Sequence, residues 1–330
     1  MAIKIGYGEF VAALRRSMLP LPWPYFRQRE AEVEYGIRFW LGTTIGQDMA
    51  GQKSDFASLL GLSPGAKTSK VQYVVGGMGL DAAQIEEVAQ LLAEEAMLVR
   101  CGAPELVKIW RVRRDGGVAA IGAKQQALKT YACIGFGPPE KPANSDHLQG
   151  LVAELLWNRI MRERTSLPDG RRLVHAHSVK PDPLEPGGDG LVIYDTAGEH
   201  VFRLWEIKKH ETKKIGVAPT VGRATRQLSS RGAEYLAKLA GPETIHQGGQ
   251  LGDFYASMLE LWFDRGERCG IGVSIGTSAH HAPKRATPFR SIIGAFPELA
   301  NPGQTEAIVV ALPDYPKFAE RVREIVWSGL

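Results

Sequence analysis

Two apolar segments with acids at their ends constrain the fold of this chain more than any other feature. The first, Gly190–Tyr194, directly follows Asp189, and the second ends in Glu206 and Lys208. The turn formers at 195–200 between them predict two β-strands joined as a hairpin. Because side chains alternate across a strand, Glu206 and Lys208 should share one face, and antiparallel pairing can bring Asp189 beside Glu206.

Two carboxylates at the end of an apolar hairpin are costly to bury without a positive partner. Mg²⁺ is such a partner, since it takes oxygen ligands and often one or two carboxylates with water and phosphate. Asp189 and Glu206 would supply carboxylates, and the backbone carbonyl of Ile207 a further oxygen. Glu154, on a predicted preceding helix, would reach the metal directly or through water. We expect Lys208 to orient the attacking water or to offset charge that develops in phosphodiester hydrolysis.

Composition places the chain among globular proteins and gives no sign of export. It has 330 residues, of which 44% are hydrophobic, and no apolar run long enough to cross a membrane. Charged residues interrupt the apolar positions of Met1–Met18, so a signal peptide is not predicted. The three cysteines are scattered without a C-x-x-C pair, which disfavours a zinc site and disulfides and favours a cytoplasmic location.

The basic surplus of the chain surrounds the predicted acidic site. Residues 171–231 hold 11 Lys and Arg against 7 Asp and Glu, which accounts for the whole formal net charge of +4. A basic field around a small acidic site suits a polyanion, although an ordinary solvated surface would look the same from charge alone. The best candidates for contacts with nucleic acid flank the hairpin: Lys209, Lys213, Lys214, Arg223, Arg226 and Gln227.

A proline-rich stretch suggests where the chain divides. Three prolines fall within residues 138–142, so we predict an N-terminal recognition or regulatory region at 1–143 and a second domain at 144–330. In the first region, residues 81–97 predict an amphipathic helix, and the alternation at 107–113 predicts a strand that pairs with residues 118–121.

The second region predicts a mixed sheet flanked by helices. Helices are expected at about 147–164, 223–240, 252–264 and 316–327, and strands, besides the hairpin, at 172–177, 270–275 and 306–312. This order of elements is typical of an α/β or α+β fold.

The residues of the second region resemble the PD-(D/E)XK nuclease superfamily. The resemblance rests on Glu154 on a helix, Asp189 after two glycines, and the Glu206-Ile207-Lys208 triplet on the next strand. Gln227 and Tyr235, on the helix that follows, resemble the additional motif of RecB-like members at a wider spacing. The resemblance covers about residues 146–239.

That family implies a restriction-endonuclease-like mixed sheet flanked by helices, here with an additional N-terminal α+β region. It also implies a nuclease dependent on Mg²⁺, or on Mn²⁺, that cuts DNA in bacterial restriction, repair or phage defence. The tail at 309–330 loosely resembles defence nucleases that work beside a helicase, which would then be the partner. No G-x-x-x-x-G-K-[ST] pattern occurs, so this chain is not expected to hydrolyse ATP.

A second hypothesis belongs to another functional class. The same fold would serve as a nucleic-acid-binding or assembly subunit, whose site is inactive or restrained until a partner engages. RNA as the substrate and assembly into an oligomer both stay open.

Overall fold

A computed structural model describes residues 56–65, 70–180, 188–212 and 216–330. The helices of these residues are α1 (Phe56–Leu59), α2 (Ala82–Cys101), α3 (Pro104–Arg114), α4 (Gly122–Cys133), α5 (Ser145–Glu163), α6 (Ala218–His246), α7 (Gly249–Asp264), α8 (Arg290–Ala295) and α9 (Tyr315–Ser328). The strands are β1 (Ser63–Pro64), β2 (Gln72–Gly76), β3 (Arg172–Ala176), β4 (Gly190–Thr196), β5 (Glu199–His210), β6 (Ile271–Ser278) and β7 (Thr305–Leu312).

All seven strands of the described residues join one mixed sheet in the order β1-β2-β7-β6-β5-β4-β3. The four central strands β2, β7, β6 and β5 are parallel, whereas β4 and β3 continue the sheet from β5 as an antiparallel meander. The predicted fold class, a mixed sheet flanked by helices, is therefore confirmed.

Helices cover both faces of the sheet with two separate apolar cores. One core joins the sheet to α2, α5 and α9 and contains Trp205 and Ile207. The other joins the opposite face to α6, α7 and α8 and contains Leu204. Because strand residues alternate between faces, Glu206 and Lys208 belong to the face that α6 covers.

The hairpin of β4 and β5 is tighter than the sequence predicts. Thr196 pairs with Glu199, which leaves a two-residue turn at Ala197 and Gly198. Both turn residues have positive φ values, 53° and 91°, as a type I′ turn requires. This turn fixes the register of the two strands, and the register in turn decides which residues meet at the other end of the hairpin.

The predicted strand at 107–113 is wrong, because these residues form α3. Pro104 stands in the first turn of this helix, where its missing N–H costs nothing. Val107 and Trp110, three residues apart, are its buried side chains, and Trp110 Nε1 donates to the Val326 carbonyl at 2.9 Å. The helical spacing of these two residues outweighs the alternation. Residues 118–121 therefore have no strand partner here, and they form no strand themselves.

The predicted domain boundary at 143–144 falls inside one compact unit, which extends from Asp55 to Leu330. Strand β2, from the first region, lies parallel to β7, from the end of the second, with Val74 opposite Ile308. Helix α2 begins as predicted, with Asp81 as N-cap, and contributes Val88 and Leu92 to the same core as α5 and α9. The proline-rich stretch is a loop within this unit.

None of the helices in the described residues is both long and apolar enough to cross a membrane.

Candidate active site

The strand register places Asp189 opposite Glu206. Gly190 pairs with Trp205 at the end of the β4–β5 ladder, so the preceding residue of one strand faces the following residue of the other. Asp189 Oδ2 accepts a hydrogen bond from the Ile207 backbone N–H at 2.9 Å. In a strand, the N–H and C=O of one residue point to the same edge. The Ile207 carbonyl therefore faces the edge where Asp189 lies, as its predicted role requires.

Lys208 joins the two carboxylates. Its Nζ lies 2.5 Å from Glu206 Oε1 and 3.3 Å from Asp189 Oδ2. The two oxygens that share this ammonium group are therefore at most 5.8 Å apart, the sum of both distances. The structure thus brings together the three residues on which the sequence interpretation depends most.

Two glycines allow helices to approach the start of β4 from both sides. A Cβ on Gly188 would lie 2.9 Å from Tyr235 Cβ on α6, and a Cβ on Gly190 only 2.2 Å from the Trp157 ring on α5. Trp157 also packs against Trp205, with ring centroids 5.8 Å apart. The Gly-Asp-Gly sequence therefore holds Asp189 between α5 and α6 rather than merely forming a turn.

Substitution of Gly190 by alanine is expected to destabilise the protein by about 1–3 kcal/mol, since the new methyl group displaces a fully buried indole. Urea denaturation of the variant measures this loss. Trp157→Phe removes the clashing part of the ring. The double variant should therefore lose less stability than the sum of the losses of the two single variants. Strictly additive losses would contradict the proposed contact.

Burial and the nearby Asp189 carboxylate favour the uncharged form of the Glu206 carboxyl. Glu206 is fully buried, and neither of its oxygens has a hydrogen-bond partner of normal geometry in the described residues, although Oε1 is in ion-pair contact with Lys208. Burial, with the nearby Asp189 carboxylate, raises the pKa of Glu206 to about 8. Burial alone would lower the pKa of Lys208, but Asp189 and Glu206 outweigh it and raise that pKa. Lys208 is therefore a cation in this site.

Glu154 approaches the same charges from α5. It is half-buried, three residues before Trp157, and its pKa is raised to about 8 by burial first and by Asp189 second. Lys180 and Lys208 act on its carboxylate in the opposite direction. Sequence reasoning missed Lys180, which directly precedes Pro181 and has no motif of its own.

Helix α6 carries polar side chains near the start of β4, where Tyr235 lies against Gly188, the residue before Asp189. Gln227 Nε2 donates to the Tyr235 hydroxyl at 2.6 Å, so these two residues, two turns apart on α6, are in contact. The Arg231 guanidinium lies over the Tyr235 ring, and Glu206 acts on it electrostatically. The sequence interpretation counted Arg231 only as part of the basic surplus.

The predicted contacts with nucleic acid are only partly presented to solvent. Lys209 Nζ binds Asp146 Oδ1 at 2.5 Å, and Arg223 Nη2 donates to Thr220 Oγ1 at 3.3 Å. Arg223 and Arg226 are both exposed on α6, and Gln227 is half-buried. Lys213 and Lys214 lie outside the described residues. Lys209 is thus occupied at the start of α5 rather than directed away from the protein.

The site suits a divalent cation with few protein ligands. Asp189 and Glu206 provide two carboxylates, and the buried oxygens of Glu206 lack normal hydrogen bonds, which a cation would compensate. Across the described ranges, no three or more His, Cys, Asp or Glu side chains form a group that could hold a metal ion. Glu154 is therefore not assigned as a third direct ligand beside Asp189 and Glu206. Its contact with the metal through a water molecule stays a prediction.

Comparison with protein-family models, with curated proteins and with solved structures finds no match.

Proposed function

We propose that this chain is a metal-dependent nuclease that hydrolyses phosphodiester bonds of DNA. The observation that carries the proposal is the shared contact of Lys208 Nζ with Asp189 and Glu206 at the end of the hairpin. Structural ion pairs also occur inside proteins, but a fully buried carboxylate without normal hydrogen bonds and with a strongly raised pKa is more typical of a functional site.

Each residue has a separate task in this proposal. Asp189, Glu206 and the Ile207 carbonyl would hold Mg²⁺ or Mn²⁺. Once bound, such a cation lowers the pKa of its water and polarises the phosphoryl oxygen. Lys208 positions the nucleophilic water and offsets the negative charge that forms on the phosphate. Glu154 accepts or passes on a proton at the edge of the site, for which a pKa of about 8 is suitable.

The direct test compares cleavage of plasmid and linear DNA by the purified chain in Mg²⁺, in Mn²⁺ and in EDTA. Wild-type chain should cut only with a divalent cation, and Asp189→Ala should not cut. Metal-dependent cutting that survives this substitution would overturn the assignment of the site. The same assay with single-stranded RNA determines whether RNA is a substrate as well.

One observation favours a restrained site as the second candidate. Lys208 Nζ contacts both carboxylates, so a cation would have to displace an existing ion pair. If wild-type chain binds DNA but does not cut it with either cation, the subunit hypothesis is preferred. A role in restriction, repair or phage defence beside a helicase stays a prediction.

A further inference from the structure

Helix α6 forms one wall beside the first acid of the site. Gly188 has space for no side chain because a Cβ there would lie 2.9 Å from Tyr235 Cβ and from Leu239 Cδ1. Gly188 is the residue before Asp189, so the face of α6 that carries Tyr235 lies directly against the start of β4. A side chain one turn before Tyr235 on this face stands at the rim of the site.

Arg231 occupies that position. Its Cζ lies 4.9 Å from the centroid of the Tyr235 ring, which supports the planar guanidinium from one side. Its side chain is 46% exposed, yet the fully buried Glu206 acts on it electrostatically. Arg231 is thus a solvent-accessible cation on the face of α6 that lies against the start of β4, and it is near enough to Glu206 for a weak electrostatic interaction.

The Glu234 carboxylate already binds the Arg231 guanidinium, in the geometry that a phosphate would adopt. Arg231 Nε and Nη2 each donate to one oxygen of Glu234, both at 3.1 Å, which is a bidentate fork. Lys238 Nζ donates to the same carboxylate at 2.6 Å. Phosphate oxygens fit this arginine geometry as carboxylate oxygens do. Because Arg231 and Glu234 are both exposed to solvent, a phosphate can reach the guanidinium and compete with Glu234 for it.

We propose that Arg231 binds a backbone phosphate of the nucleic acid beside the scissile bond, and that Glu234 competes with this phosphate for the guanidinium. The proposal rests on the function proposed above, because it assumes that a phosphodiester enters the site. It adds a substrate contact on α6 to the predicted Arg223, Arg226 and Gln227, and it gives Glu234 a role in limiting affinity.

The test measures binding of a fluorescently labelled DNA duplex in EDTA, where no cutting occurs. Arg231→Ala should weaken binding about tenfold and reduce the slope of log affinity against log salt by about one. Arg231→Lys, which keeps the charge but not the fork, should recover part of the loss. Glu234→Gln should strengthen binding several-fold, a gain that loss of a merely structural contact would not produce.

Helix α9 offers a matched control pair. Arg321 is 45% exposed and contacts Glu324, three residues later, at 3.0 Å, and it also forms a fork to Glu86 on α2; α9 covers the opposite face of the sheet. Arg321→Ala and Glu324→Gln should leave DNA affinity within about twofold of wild type. Equal effects of the Arg231 and Arg321 substitutions would overturn the proposal.

The binding assay also separates this proposal from the nuclease function. If wild-type chain fails to cut in Mg²⁺ and Mn²⁺ but Arg231→Ala still loses affinity, the phosphate contact is supported and the nuclease function is not. If the wild type cuts and Arg231→Ala binds and cuts as the wild type does, the phosphate contact is wrong although the nuclease stands.

Discussion

Replacing Lys208 with alanine is expected to lower the rate of DNA cleavage about a hundred- to a thousandfold. This magnitude is typical when one hydrogen-bond donor that stabilises developing charge is removed from a reacting centre. Lys208 is the cation in contact with both Asp189 and Glu206, and its raised pKa keeps it charged at neutral pH. Initial rates of cleavage of linear DNA at saturating Mg²⁺ measure the change.

The neighbouring lysine is the control for this substitution. Lys209 follows Lys208 on β5 but points to the opposite face, where it binds Asp146 at the start of α5. Lys209→Ala should therefore keep the rate within severalfold of wild type, as expected from the small energy of an exposed ion pair. Equal losses in both variants would show that the positive charge of the segment matters, rather than the position of Lys208.

The sequence was most informative where local rules act alone. Two apolar segments and the turn formers between them predict the hairpin, and its register follows from the turn, so the meeting of Asp189 with Glu206 could be predicted. Residues 107–113 show the opposite case. Their alternation was real, but Val107 and Trp110 are buried three residues apart, and only the partner at Val326, far along the chain, reveals it.

Long-range contacts also explain why Arg231 and the extent of the compact unit were not predicted. Arg231 belongs to the site because α6 packs on Gly188, and no spacing within the helix indicates this contact. Likewise, the pairing of β2 with β7 joins residues more than two hundred positions apart, and the short apolar run of β2 does not specify its partner. Proline content indicates a loop, but it does not show which elements on either side pack together.

Without metal, the protein is expected to lose stability as the pH rises from about 5 to about 8. The folded-state pKa of Glu206 and of Glu154 is raised from 4.5 to about 8, so the folded chain keeps protons that the unfolded chain releases. Their contribution to stability is therefore fully present below pH 4.5 and is lost as the pH rises through 8. Each proton changes the free energy of unfolding by at most about 1.4 kcal/mol per pH unit.

Urea denaturation in EDTA at several pH values measures this slope, and Glu206→Gln should reduce it, because the neutral amide has no proton to release. Glu234→Gln is the control: its carboxyl is exposed on α6, and Arg231 and Lys238 hold its pKa at about 2, so it does not titrate in this range. Mg²⁺ added at pH 8, at a hundredfold excess over its Kd, should raise the free energy of unfolding of the wild-type protein by about 2.7 kcal/mol. It should raise that of Glu206→Gln only slightly. A wild-type slope equal to that of Glu206→Gln would mean that the buried carboxyl carries no proton, and an equal Mg²⁺ effect in both proteins would place the cation elsewhere.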